Sequence, residues 1–341
     1  MFLVLDGLPA ADVSLELTPN LVALAAETGQ VPGRARGVLP AATYPNHATF
    51  STGAVPADHG IVANWLPVDG AIRRADDVGP KVPTIFDACA AAGVETAFVA
   101  GDQCLVRVMH GDKAAAHWPP EGQVPDGAAL DAHGYLTDRD ARTHLLDALA
   151  GRARLVVAQL NGTDTAGHVY GPGSPGARDA TRAADAAVGE ARAELAPAWR
   201  DTVFVVVSDH AMEPVTNPEP IELHRHAPDG LICLPEGSAA VVHGNDPEEG
   251  AWLSAVPGVA GHQSLAETVR VANASPGRYF GFADFMRFEP GTHGGPRTLE
   301  QLAVVGGGHP AAHALAADVA GGDWDATRWA PVLADLVGAP R

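Results

Sequence analysis

The stretch Thr202-Val-Phe-Val-Val-Val-Ser-Asp-His210 decides the fold. From Thr202 to Val207 it is apolar or β-branched without a break, and it stops at the polar pair Asp209-His210. A half-exposed strand alternates polar with apolar residues. An unbroken short run is instead buried on both faces, as inside a parallel sheet flanked by helices. Working outward, Phe2–Leu5 repeats the pattern and ends at Asp6, and Leu155–Leu160 repeats it with Asp164 just beyond. Further strands are expected over 95–100 and 302–305. Thr18-Pro19 supplies an N-cap and a proline at the first helical position for a helix over 20–28, which Gly29 stops. Helices are also expected over 84–92, 142–149, 177–195, 311–319 and 325–337. This alternation predicts an α/β fold with a mostly parallel central sheet and helices on both faces. The stretch 212–290 breaks the rhythm with proline clusters and a candidate hairpin built on 239–242 and Gly244-Asn245. It reads as a small cap inserted into a core made of 1–211 and 291–341.

Composition narrows the function. The 341 residues suit about two domains of roughly 150 residues each. Lys+Arg numbers 22 against 41 Asp+Glu, a net charge of −19. That excludes a protein that coats nucleic acid, whose affinity rests on basic patches against phosphate. Cys89, Cys104 and Cys233 form no CxxC motif, so there is no disulfide scaffold and no thiolate zinc site. No apolar run reaches the ~20 residues of a membrane span. The N-terminus has no basic region, and its apolar stretch ends at Leu5, unlike a signal peptide. A cytoplasmic protein is the expectation. The 15 histidines stand out beside two lysines, Lys81 and Lys113.

Asp6, Asp164 and Asp209 all follow strand ends. In an open parallel sheet, ligands bind beyond the carboxyl ends of the strands. A lone Asp in such a place serves as a turn or cap residue. Three at one sheet edge repel one another unless cations hold them, and His168 and His210 stand close by in sequence. Asp164 and His168 are four apart, a common spacing for two ligands of one metal. Asp and His without Cys suit zinc or manganese. A second feature is Thr43-Tyr-Pro-Asn-His47, where Pro45 suits a first helical turn. Thr43 at that helix N-terminus either caps the helix or acts as a nucleophile, because the free N–H groups there favour negative charge. A metal on its oxygen would lower the hydroxyl pKa.

With these residues in view, the run from Thr43 to Asn64 (Thr-Tyr-Pro-Asn-His, Ser-Thr-Gly, Pro-Ala-Asp-His-Gly-Ile-Val-Ala-Asn) resembles the type I phosphodiesterase/nucleotide pyrophosphatase family of the alkaline phosphatase superfamily. Leu-Asp6-Gly, Asp164-Thr-Ala-Gly-His168-Val-Tyr-Gly-Pro, Ser-Asp209-His210 and Gly-Thr-His293-Gly agree and keep the family's order. Phosphonoacetate hydrolases share this skeleton, and the Gly-Pro-Gly-Ser-Pro-Gly after Tyr170 and Thr-His-Gly-Gly at 292–295 are similar to theirs.

The resemblance implies an alkaline-phosphatase-like core and two divalent metal ions, usually zinc, with manganese as the other candidate. One would be held by Asp6, Asp209, His210 and the Thr43 oxygen, the other by Asp164, His168 and His293. Thr43 would be the nucleophile, and Asn64 would donate its amide to a phosphoryl oxygen. The implied reaction is hydrolysis of a small phosphodiester or pyrophosphate-type compound, nucleotide-like, through a phospho-threonine intermediate. A phosphonoacetate-type phosphonate hydrolase or a phosphomonoesterase is the alternative. Three Asp and a Thr alkoxide balance two divalent cations, so a phosphoryl group can approach despite the remote negative charge.

Some positions depart from the family or stay open. Tyr44 either stacks on a substrate base or packs in the core. Nucleotide-cleaving members tend to carry an aromatic where this chain has Gln159. A phosphonoacetate carboxylate needs a cation, for which Arg107, Arg225 and Arg287 are candidates. His224 and His226 would share a face on a strand, or lie on a solvated loop. His47 and His59 are expected to support the loop. His309 competes with His293 as the late ligand. Arg73-Arg74 reads as solvated surface.

Overall fold

The structure, a computed structural model, describes residues 1–284 and 287–340. Phe285, Met286 and Arg341, which the expected cap and core ranges include, lie outside the described residues. Two sheets organise the chain. The strands are β1 (Phe2–Leu5), β2 (Gly33–Arg36), β3 (Thr96–Ala100), β4 (Ala116–Trp118), β5 (Leu155–Leu160) and β6 (Phe204–Val207), then β7 (Ile232–Glu236), β8 (Ala239–His243), β9 (Val259–Ala266) and β10 (Val269–Ala274), and last β11 (Glu300–Gly306). The central sheet has the order β2-β11-β6-β1-β5-β3-β4. Its pairs are parallel except those of β11, which runs against both β6 and β2.

The main helices are α1 (Pro19–Glu27), α2 (Thr43–Thr52), α3 (Ile85–Ala92), α4 (Asp138–Ala150), α5 (Gly162–Tyr170), α6 (Pro175–Glu194), α7 (Pro310–Ala320) and α8 (Trp329–Val337). The pleat of β1 shows why the strands carry no polar alternation. Phe2 and Val4 pack on one side against Phe50 of α2, Phe86 of α3, Leu315 of α7 and Trp329 of α8. Leu3 and Leu5 pack on the other against Leu21 of α1, Leu145 of α4 and Val188 of α6. Each such side chain gains about 1.5–3 kcal/mol by leaving water, so both faces need helical cover.

The second sheet, β7-β8-β10-β9, is antiparallel throughout. Val241 and Val271 point from it into the main core. Ala240, Val242 and Ala272 face a separate cluster with Ile221, Leu253 and Phe280. The stretch thus has a core of its own and also shares the main one.

Three local readings change. Thr18 is the N-cap of α1 with Pro19 behind it, but its hydroxyl bonds Ser14. The Asp185 carboxylate of α6 caps the first turn instead, accepting from Asn20 N at 3.0 Å and Leu21 N at 2.8 Å. An anion at a helix N-terminus is favoured wherever in the chain it comes from. The hairpin at 239–242 turns at Gly237-Ser238, before β8, whereas Gly244-Asn245 opens a longer excursion. Asp69-Gly70, both at positive φ, closes a hairpin of Trp65–Val68 with Ala71–Arg74, a turn signal passed over in the sequence. Among the described residues no helix is long and apolar enough to cross a membrane.

Phe204 is fully buried in β6. Truncating it as Phe204→Ala should cost about 3–5 kcal/mol, read by chemical denaturation; a loss under about 1 kcal/mol would contradict its place in the core.

Candidate metal centre

The carboxyl ends of β1, β5 and β6 meet at one place. β1 lies between the other two, with Leu5 level with Leu160 and Val4 level with Val207. Asp6 therefore leaves the sheet at its middle. Gly7 follows at φ +66°, a left-handed turn that lets its N–H reach Asp209 Oδ1 at 3.0 Å. A Cβ on Gly7 would stand 3.1 Å from Asp164, so glycine is needed here for space as well as for conformation. Asp164 and His168 project from consecutive turns of α5. His293 arrives on the segment after the short strand Gly291–Thr292.

These side chains converge with a shared pattern. Asp6 Oδ2 accepts from Gln159 at 2.7 Å, and Asp209 Oδ1 accepts from two backbone N–H groups, Gly7 and His210, each at 3.0 Å. The other oxygens, Asp6 Oδ1 and Asp209 Oδ2, are buried without a hydrogen-bond partner, as is Asp164 Oδ1. Each histidine has its Nδ1 on a backbone carbonyl: His168 on Gly291 O at 3.0 Å, His210 on Ala211 O at 3.1 Å, His293 on Ala41 O at 3.0 Å. On His210 and His293, which burial keeps neutral, Nδ1 therefore carries the proton and Nε2 presents a lone pair, whereas the His168 ring, with Glu289 also 3.2 Å from its Nδ1, is held charged and would release its Nε2 proton to a cation. Those Nε2 atoms face the orphaned oxygens. His168 and His293 lie 3.5 and 3.6 Å from Asp164 Oδ1, and His210 lies 3.6 Å from Asp6 Oδ1 and 3.3 Å from Asp209 Oδ2. Buried carboxylate oxygens facing histidine nitrogens across these gaps suit a divalent cation. Asp164, His168 and His293 form one potential ligand group, Asp6, Asp164 and His210 another, and Asp6, Asp209 and His47, which was expected only to support the loop, a third.

Electrostatics agree. Burial, then Asp209 and Asp164, hold the Asp6 carboxyl well above its ordinary range. Asp209 is raised to about 7, chiefly by burial, with Asp164 adding to it. Burial keeps His210 well below its ordinary value and His293 at about 4, so both rings are neutral, and they stack 3.7 Å apart. Burial opposes charge on His168, but Asp164 and Glu289 outweigh it and raise the ring to about 9.

Thr43 opens α2, whose N-cap is Ala42. Its hydroxyl does not cap the helix. Oγ1 lies 3.5 Å from His210 Nε2, at the edge of the cluster. Asn64 is folded against the same helix end, its Oδ1 accepting from Tyr44 N at 3.3 Å. The Tyr44 ring belongs to the core and is 3% exposed, which leaves no ring face for a base to stack on. Its phenol oxygen accepts from Arg74 at 3.3 Å, so Arg74 is no freely solvated surface residue. Arg107, Arg225 and Arg287 are exposed and bond nothing in the cluster. His224 and His226 are exposed, and His224 lies in a 3-10 turn, not on a strand. His309 caps α7 beside Thr202, at the opposite end of the sheet.

His47 bonds Thr43 O at 2.8 Å and stands 3.5 Å from Asp209, while His59 ties Thr49 to Ile61 N. Sequence reasoning missed four others. Gln159 is fixed by Gly101 N and Asp102 N on its oxygen and holds Asp6 with its amide nitrogen. Glu289 links His133 to His168 at 2.8 and 3.2 Å. Asp102 is a fourth buried carboxylate at this edge, raised to about 6 by burial. Glu236 bonds Asn64 N at 2.8 Å. No motif spacing marks these residues, and Gln159, Glu289 and Glu236 act through partners distant in sequence.

Comparison with known proteins places this centre in a family. The type I phosphodiesterase / nucleotide pyrophosphatase family matches residues 1–271. The chain belongs to that family. His293 lies beyond the matched range. An uncharacterised pyrophosphatase/phosphodiesterase of Schizosaccharomyces pombe is 29% identical over 235 residues, 62% of this chain and 44% of that protein. The chain thus spans under half the length of that relative. Murine ectonucleotide pyrophosphatase/phosphodiesterase 5, solved as an inactive variant with AMP, shares the fold with a TM-score of 0.75 at 17% identity, over 99% of this chain and 94% of the other. Phosphonoacetate hydrolase of Sinorhizobium meliloti, solved with phosphonoformate, gives 0.70 at 20% identity, over 94% and 95%. The alkaline-phosphatase-like fold expected from the motifs is the fold observed.

Removing one of the mutually repelling carboxylates has opposite effects with and without cations. Asp164→Asn should raise the melting temperature in chelator by a few degrees and abolish most of the rise that added zinc gives the native chain. A variant that responds to zinc as the native chain does would contradict the assignment.

Proposed function

We propose that the chain is a metal-dependent phosphoryl hydrolase that cleaves a small phosphodiester or pyrophosphate-type compound through a phospho-threonine intermediate. The observation that carries this reading is the set of three orphaned carboxylate oxygens and three histidine Nε2 atoms gathered beside the Thr43 hydroxyl. Two divalent cations, zinc with manganese as the other candidate, would be held by Asp6, Thr43, Asp209 and His210, and by Asp164, His168 and His293. Bound there, they would supply charge to offset phosphoryl oxygens and lower the pKa of an oxygen they touch.

The chain's own residues do the rest. Thr43 Oγ1, freed from capping, gives its proton to solvent and attacks phosphorus in line. The bond from phosphorus to the leaving group breaks, and the electron pair departs with that group. The Thr43–phosphoryl ester is then cleaved by water, which restores the hydroxyl. The first-turn N–H groups of α2 favour the negative charge passing over them. Asn64 accepts from Tyr44 N with its oxygen, which turns its NH2 outward as a donor for an equatorial phosphoryl oxygen. The 212–290 stretch is proposed as the cap that shapes the leaving-group side.

A second reading has one observation in its favour. A phosphonate with a carboxylate needs a cation, and Arg74 stands against the first turn of the nucleophile's helix through Tyr44. Turnover of bis(p-nitrophenyl) phosphate, a nucleoside pyrophosphate, a phosphomonoester and phosphonoacetate separates the two, and the diester should lead. Thr43→Ala should lower turnover by on the order of 10³-fold or more while bound metal is retained. Full activity in that variant would end the proposed mechanism.

A further inference from the structure

Among the groups that the mechanism does not use, Glu236 is the buried carboxylate most closely tied to a residue that it does. It ends β7 at 5% exposure, and Oε1 accepts from Asn64 N at 2.8 Å. The Trp65 N–H also faces this carboxyl and favours its charged form. The two residues lie 172 positions apart in sequence, one in the second sheet and one in the loop after α2.

The next two residues of the same turn hold the opposite side of the centre. Ser238 donates its N–H to His293 O at 2.6 Å, and its hydroxyl bonds the same oxygen at 3.2 Å. Ser238 Oγ also accepts from Gly295 N at 3.0 Å. Gly237 sits at φ +64°, and a Cβ there would meet His293 O at 2.2 Å. The turn is therefore pressed against the His293 backbone and can shift little. The Glu236 carboxyl is anchored on that turn, so the Asn64 backbone is anchored to it as well.

We infer that Glu236 is a positioning residue for the reaction: it holds the Asn64 backbone so that the side-chain amide, pinned at Oδ1 by Tyr44 N, aims its NH2 at the phosphoryl group. The inference rests on the role assigned to Asn64 above. The second sheet then sets one donor of the centre through Glu236 and one histidine through Ser238. Without the acceptor, the Asn64 N–H loses its partner and the loop relaxes. The amide would wander from a geometry that matters most when charge builds on phosphorus. Burial raises the Glu236 carboxyl to about 8, so its neutral form prevails at neutral pH and glutamine is a close stand-in.

The test is a double-mutant cycle on the metal-loaded full chain, with bis(p-nitrophenyl) phosphate as substrate. Asn64→Ala should lower kcat about 100-fold. Glu236→Ala should lower kcat about 10–100-fold, with KM within about threefold and metal content unchanged, because the lost contact belongs to the transition state. Adding E236A to N64A should change kcat less than about twofold, since both act through one amide. Glu236→Gln should stay within about threefold of native. Orthovanadate, a mimic of the pentacoordinate state, should lose affinity in E236A by a larger factor than orthophosphate does. If E236A does not fold, Glu236→Asp, which draws the acceptor back by one methylene, should show the same pattern at smaller amplitude. An N64A loss without an E236A loss, or losses that multiply in the double variant, would overturn the positioning role alone. An N64A enzyme as active as the native one would contradict the role of Asn64 and this inference with it.

Discussion

Like charge at close range is the constraint on which the rest of the structure depends. The facing oxygens of Asp6 and Asp209, and of Asp6 and Asp164, lie within 4.8 Å of one another. At an effective dielectric of ~20, each such pair of carboxylates repels by about 3–4 kcal/mol, before any cost of burial. A fold that places three of them at one sheet edge has to arrange for an opposing charge. It does so by satisfying one oxygen of Asp6 and of Asp209 within the protein and leaving the other bare. Three histidines with Nδ1 tied to backbone carbonyls and Nε2 turned inward complete a cage suited to a cation.

The architecture follows from that demand. A carboxylate can be held this firmly only where the backbone beneath it cannot move, and β1, β5 and β6 are buried on both faces. The proposed nucleophile, Thr43, sits differently, at the N-terminus of α2, where partial positive charge suits a phosphoryl group. The second sheet closes the centre from outside, with the 236–238 turn gripping Asn64 and His293. The net charge of −19 belongs to the surface at large. The local sign is set by whatever fills the cage.

Much of this was legible in the sequence, for a physical reason. Unbroken apolar runs announce strands buried on both faces, and β1 and β5 fall at the bounds expected of them. Asp6, Asp164, His168, Asp209 and His210 were legible because each follows a strand end or repeats at helical spacing, whereas His293 and the role of Thr43 came only with the resemblance to the family. The edge strands β2 and β4 were not, since they are short and carry Arg34, Arg36 or His117 in place of an apolar run. Gln159 read as a missing aromatic wall, whereas its amide serves Asp6. Glu236 and the Asp185 cap of α1 escaped notice because their partners lie more than a hundred residues away. Tyr44 was open between core and substrate until packing decided for the core.

Counting the divalent ions bound per chain tests the central claim most directly. Elemental analysis of the zinc-loaded, desalted protein, cross-checked by intact mass under native conditions, gives that number. The account predicts two per native chain, falling to one or fewer when His168 and His293 are both replaced by alanine. Fewer than one ion per native chain would mean that the bare carboxylate oxygens are not held together by metal, and would contradict the account.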